Sequence, residues 1–300
     1  MSIKKSVLVF TFIGLALAGC GPSPAATGGG PKVLASTTFL ADMAQNVAGE
    51  RLEVESLLPA GADPHAYEVA PSDVAKVAAS TVLIVNGLEY EHFIESLLEN
   101  AGGERMIVTA SNGLKPHEME DSDHTAGDPH LWLDPARVVT YVENIRDGLI
   151  EADPEGAGIY RANAEAYIAQ LTDLDAWISG QVAQIQAGRR LLVTNHEALG
   201  YFAERYGFAV VGTVIPSLSS EAATSAQGLA TVVEQIKATG APAIFLGEVE
   251  NPDLANQIAA ETGVKVVSGL YLESLTDGPP AATYIDMMKY NVSLIVEALK

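Results

Sequence analysis

Two similar α/β lobes joined by one long rigid helix is the architecture this chain predicts, and two observations carry it. Short β-branched runs alternate with amphipathic helical stretches in both halves of the chain. Between the halves lies one helical stretch almost free of breakers.

In the first half, Val33–Thr37, Val54–Leu58, Val82–Val85 and Met106–Thr109 read as strands. In the second half, Leu191–Thr194, Ala209–Ile215, Ala243–Leu246 and Val264–Val267 do the same. All are brief, continuous and β-branched, as strands buried on both faces of a parallel sheet tend to be. Pro71–Ala79 and Ala226–Thr239 read as helices between them. From Pro154 to about Gln186, the residues Tyr160, Tyr167, Leu171, Leu174, Ile178, Val182 and Ile185 recur at helical spacing and form one apolar face. Asp153 is the expected cap, Pro154 stands in the first turn and Gly188 follows the end. About 32 residues at 1.5 Å each span roughly 48 Å, more than a small lobe needs. The stretch reads as a connector, a long helix inside one domain being the alternative.

The N-terminus reads as an address. Lys4 and Lys5 precede an apolar run, Val7–Ala18, that is short for a membrane span. Leu17-Ala18-Gly19-Cys20 resembles the lipobox of bacterial lipoproteins, in which cleavage before the cysteine leaves it lipidated. Cys20 is the only cysteine, so no intramolecular disulfide and no multi-cysteine zinc ribbon is available. The Pro/Gly-rich segment that follows reads as a tether. The chain thus divides into a signal over 1–19, a tether over 20–31, an N-terminal lobe over 32–152, a linking helix over 153–187 and a C-terminal lobe over 188–300. The expected location is extracytoplasmic, at the periplasm or cell surface, with the lipid on Cys20 as the anchor.

Charge narrows the partners. The 38 acidic residues against 17 basic ones give a net charge of −21 over 300 residues. Removing residues 1–19 takes two lysines and no acid, leaving −23. Such a chain is a poor partner for phosphate backbones, so nucleic acid is not expected. At 48% hydrophobic residues it has enough apolar content to build cores.

Three of the six histidines stand at element ends. His65 and His130 each follow a proline, in Asp63-Pro64-His65 and Asp128-Pro129-His130, and His196 lies just beyond the strand Leu191–Thr194. Neutral imidazole suits Zn²⁺ and other borderline divalent ions. The three are 65 and 66 residues apart, too far for a local site, so they would have to converge from different elements. His117 and His124 stand among Glu118, Glu120, Asp121 and Asp123 in a segment without apolar period, read either as a weak metal-collecting loop or as a solvated acidic one. His92 reads as a structural or surface residue at a helix start. No H-E-x-x-H is present, which argues against a secreted zinc hydrolase and for a protein that is not an enzyme.

The segments DPHAYE at 63–68, DPHLWLDP at 128–135, TNHEALGYFAERYGF at 194–208, VNGLEYE at 85–91 and GPPAATYIDMMKYNV at 278–292 resemble the metal-binding solute-binding proteins of bacterial ABC importers that take up zinc and manganese. The resemblance covers nearly the whole chain after the signal. It implies two α/β lobes on one long rigid helix with the metal in the inter-lobe cleft. It implies ligands at His65 and His130 from the first lobe and His196 from the second. The choice of His rather than Glu at that third position points to Zn²⁺ as the transported ion, with Mn²⁺ or Fe²⁺ as the alternative. Many members carry an Asp as fourth ligand where this chain has Glu273. Glu68, Asp128, Asp134 and Glu248 are candidates to orient the ligands. Expected partners are the permease and ATPase subunits, with a zinc metallochaperone as a further one, and the chain is expected to be monomeric. A surface adhesin is the reading from another class.

Overall fold

A computed structural model describes residues 30–118, 126–217 and 224–300. The signal, Cys20 and most of the tether lie outside the described residues. The first lobe alternates strictly: β1 (Val33–Ala35), α1 (Thr38–Ala48), β2 (Val54–Ser56), α2 (Pro71–Ala79), β3 (Val82–Val85), α3 (Ile94–Ala101), β4 (Met106–Thr109) and α4 (Pro135–Ala152). Its sheet is parallel with order β2-β1-β3-β4. After α5 (Ala157–Val182) the second lobe repeats the plan with β5 (Leu191–Thr194), α6 (Gly200–Tyr206), β6 (Ala209–Thr213), α7 (Ala226–Thr239), β7 (Ala243–Gly247), α8 (Asp253–Thr262), β8 (Lys265–Leu270) and α9 (Tyr284–Leu299). Its parallel sheet runs β6-β5-β7-β8, the same order. In each sheet the chain reverses direction after its second strand, which opens a crevice beyond the carboxyl ends of β1 and β3, and of β5 and β7.

Strand limits differ where side chains leave the sheet. β1 ends at Ala35 because Thr37 becomes the extended residue that opens α1. β8 runs past its apolar stretch to Leu270 because one extra residue is absorbed opposite Phe245–Gly247, with Gly269 at φ +86°. Such a bulge re-aims the residues that follow it, and Glu273 is among them.

The connector is shorter than its sequence implies. Pro154–Gly156 forms a separate 3-10 turn, and α5 spans 26 residues, about 39 Å. Asp153 does not cap α5. Its carboxylate is taken by Arg51, through Nε and a 2.8 Å bond from the second guanidinium nitrogen, and by the Tyr160 hydroxyl. Gly156 is required there, since a Cβ would overlap the Tyr160 ring and the Arg51 guanidinium. The apolar face is otherwise as read: Tyr160, Tyr167, Leu171, Leu174, Ile178, Val182 and Ile185 are all buried.

That face is the spine of one continuous apolar core that takes in α1 and α4 from the first lobe and α6 and α9 from the second. Smaller clusters fill the far side of each sheet. Hydrogen bonds sew the lobes together around it. The Trp132 indole donates to Leu272 O at 2.9 Å, the Tyr284 hydroxyl to Trp132 O at 2.6 Å, and Leu275 N to the Thr38 hydroxyl at 2.8 Å.

Candidate metal centre

The four residues named from the sequence as ligands converge. His65 lies on the loop after β2, His130 just before α4, His196 two residues beyond β5 and Glu273 three beyond β8. One ligand atom from each lies within 4.8 Å of all the others. Glu273 Oε1 stands 3.2 Å from His196 Nε2 and 3.6 Å from His130 Nε2, and Oε2 stands 3.9 Å from His65 Nε2. A tetrahedral ion with bonds of about 2.0–2.1 Å holds its ligand atoms roughly 3.3 Å apart, so slight contraction closes this group on a metal. Glu273 supplies the extra methylene over Asp and still reaches the centre.

The decisive chemistry is what these atoms lack. His65 Nδ1 and Nε2, His130 Nε2, His196 Nε2 and Glu273 Oε1 are buried with no hydrogen-bond partner. Buried polar atoms are paired in the great majority of cases. Here one nitrogen of each ring and one Glu273 oxygen, four such atoms, cluster together.

Each ligand is held differently. The His130 ring gives Nδ1 to Asp128 Oδ1 at 2.8 Å, and the same oxygen accepts the His130 backbone N–H. The His196 ring gives Nδ1 to Glu250. A carboxylate only accepts, so both rings carry hydrogen on Nδ1 and turn Nε2 toward the centre. His65 has no such partner. Its ring stands edge-on to Tyr90, and its backbone N–H bonds Asp63 at 2.9 Å. Glu273 accepts the Tyr90 hydroxyl on Oε2 at 2.7 Å. Tyr90 follows a turn in which Gly87, Leu88 and Glu89 all take positive φ, a conformation costly for the two non-glycines.

Charge follows from this packing. Burial pushes the His65 imidazolium down to about 3. Burial also opposes charge on His196, but the Glu250 and Glu273 carboxylates prevail and hold its proton up to about 10. His130 is raised in the same way: Asp128 and Glu273 outweigh burial. Glu273 is held well below the usual carboxylate range because His130 and His196 outweigh its burial.

The remaining candidates separate. Asp128 braces a ligand. Glu248 braces the Glu273 segment, accepting Leu272 N at 2.8 Å, Glu273 N at 3.1 Å and Ser274 N at 2.8 Å. Asp134 instead caps α4 and pairs with Arg205, and Glu68 is exposed with no bond to the four ligands. His117 bonds Glu204 at 2.9 Å and stacks on Tyr201, apart from the four, and Glu118 is exposed. Glu120, Asp121, Asp123 and His124 lie outside the described residues. Sequence reasoning missed Tyr90 and Glu250. The Asn86-Gly87 turn signal and the acidic pair directly after an apolar strand were the available signs.

Two parallel-sheet lobes on a common helical spine, with a buried His₃Glu cluster where their strand ends meet, define a metal-binding solute-binding protein of the ABC-importer class. The chain belongs to the ZnuA family, described as zinc-uptake complex component A, periplasmic, whose family profile matches residues 33–298. It is 39% identical to the manganese-binding lipoprotein MntA of Halalkalibacterium halodurans, over 99% of both chains. The periplasmic zinc binding protein TroA from Treponema pallidum matches with a TM-score of 0.83 at 26% identity, over 90% of this chain and 99% of that one. The Mn-bound periplasmic metal binding protein from Candidatus Liberibacter asiaticus matches with a TM-score of 0.81 at 26% identity, over 90% of this chain and 100% of that one. Members of this family are substrate-binding components of ABC transporters, and several relatives are named lipoproteins. No helix among the described residues is long and apolar enough to cross a membrane.

Proposed function

We propose that this chain captures Zn²⁺ outside the cytoplasmic membrane, held there by a lipid on Cys20, and delivers it to the permease and ATPase subunits of an importer. His65, His130, His196 and Glu273 are the ligands. The observation that carries the reading is the cluster of four buried ligand atoms, one from each residue, without hydrogen-bond partners. Three imidazoles and one carboxylate are a donor set that favours Zn²⁺ over Mn²⁺. The Tyr90 bond to Oε2 supports the same ion, because it leaves Oε1 as the free oxygen and so favours four-coordination. The ion is cargo, bound and released unchanged.

The second reading is Mn²⁺, favoured by the 39% identical relative named for manganese. Competitive titration of the purified chain with Zn²⁺ and Mn²⁺ decides between them. Preference for Zn²⁺ is expected, and a clear preference for Mn²⁺ overturns the zinc assignment.

A further inference from the structure

The turn that closes β7 reads Gly247-Glu248-Val249-Glu250. Its two carboxylates point to different tasks. Glu250, its side chain 1% exposed, accepts His196 Nδ1 on one oxygen and the Gly247 backbone N–H on the other. Glu248 gathers three successive backbone N–H groups, those of Leu272, Glu273 and Ser274. One carboxylate therefore orients the ring of one ligand, and the other fixes the backbone of the second. The turn can do both because it sits beyond the crevice between β5 and β7, with the His196 segment on one side and the β8 exit on the other.

We infer that the Gly247–Glu250 turn is a single bracket that positions both ligands of the second lobe, with Glu248 and Glu250 as positioning residues that never touch the ion. The inference rests on the metal-site reading above. Gly247 belongs to the bracket: a Cβ there would stand 3.2 Å from the Glu250 carboxyl carbon and 3.3 Å from Leu272 Cδ1, closer than most Cβ contacts, so the bracket packs tightly around it. In the first lobe the matching turn after β3 carries Glu91, which accepts Asn86 N, Gly87 N and the Ser36 hydroxyl but touches neither histidine ligand. Asp128 braces His130 alone, and neither nitrogen of His65 has a partner. The second lobe thus offers His196 and the Glu273 backbone held from one turn, while Tyr90 of the first lobe holds the Glu273 carboxylate.

The chemistry of the conservative variants follows. In Glu250→Gln the amide keeps one acceptor for two donors, so either Gly247 N–H or His196 Nδ1 loses its partner. In Glu248→Gln, one side of the three-donor cradle meets an NH₂ group. Loss of such an outer partner costs about 10–100-fold in metal affinity.

The test is a set of double-mutant cycles on the full mature chain, read by Zn²⁺ competition with a chromophoric chelator and by apo melting temperature. Glu250→Gln is expected to weaken binding about 10–100-fold in the native background and to cost little more once His196→Ala is present. Glu248→Gln is expected to behave likewise against Glu273→Ala. The two glutamines together should cost less than the product of their separate effects. Co²⁺ bound to each variant should show shifted d–d bands, which a loss of overall stability alone does not produce. Unchanged affinity in both variants overturns the inference, and so does a penalty that persists undiminished when its ligand is gone. If the native chain itself binds neither Zn²⁺ nor Mn²⁺, it is the metal-site reading that falls.

Discussion

Tyr90 reaches across the cleft from the first lobe to hold one oxygen of Glu273 in the second. Tyr90→Phe removes that bond and keeps the ring against His65. Zn²⁺ affinity is expected to fall about tenfold. Discrimination against Mn²⁺ should narrow as well, since the freed Oε2 allows the carboxylate to bind through both oxygens. Paired titrations of native and variant chains check this, and an unchanged Zn²⁺ to Mn²⁺ ratio refutes it. The site also fixes a pH dependence. His196 keeps its proton up to about 10, so an ion arriving near neutral pH must displace it. Affinity should therefore fall at least about tenfold per pH unit between about pH 8.5 and 6.5. Calorimetry in buffers of different ionisation enthalpy counts the released proton. At this scale the sequence marked the three imidazoles that converge, because each follows a proline or stands just past a strand. It could not show Glu250, which lies 54 residues from His196 and meets it only through the pairing of β5 with β7.

The start of α5 is the element where local signals misled. Asp153-Pro154 is a plausible helix opening, but Arg51, 102 residues away, claims the carboxylate. A long-range charged bond outbids a local cap, and α5 begins three residues later than the proline implies. Two outcomes follow. Gly156→Ala forces a methyl into the Tyr160 ring and should destabilise the fold by about 1–3 kcal/mol or more, read as a lower melting temperature. Arg51 holds the Asp153 carboxyl down to about 2, so the pair's contribution is complete above the ordinary aspartate value near 3.8 and is lost as pH falls through about 2. Asp153→Asn should flatten that acid limb of the melting curve. The strands fared better where they are continuous apolar runs, as in β1, β3 and β7, whose burial on both faces leaves a plain compositional mark. Their ends were less legible. β8 continues through Ser268 and Gly269, which no periodicity marks as strand.

At the scale of the molecule, the core that runs through α5 makes the two lobes one body. Large rotation of one lobe against the other would break buried contacts and the bonds from Trp132, Tyr284 and Leu275. Binding should therefore leave the radius of gyration from solution scattering unchanged within error. It should still raise the melting temperature. At about 100 times Kd the ion adds about 2.7 kcal/mol, or roughly 4–5 °C for a chain of this size. A large contraction on loading would show that the spine flexes.

The unpaired atoms at the centre have a consequence for the empty chain. A buried donor or acceptor left without a partner costs about 1–3 kcal/mol, and both nitrogens of His65 are in that state. Function and robustness are thus set against each other in this fold. His65→Leu removes both, is expected to abolish capture, and should make the metal-free protein melt higher than the native one. The atoms that would make capture possible are the ones a sequence chosen for stability alone would replace with hydrocarbon.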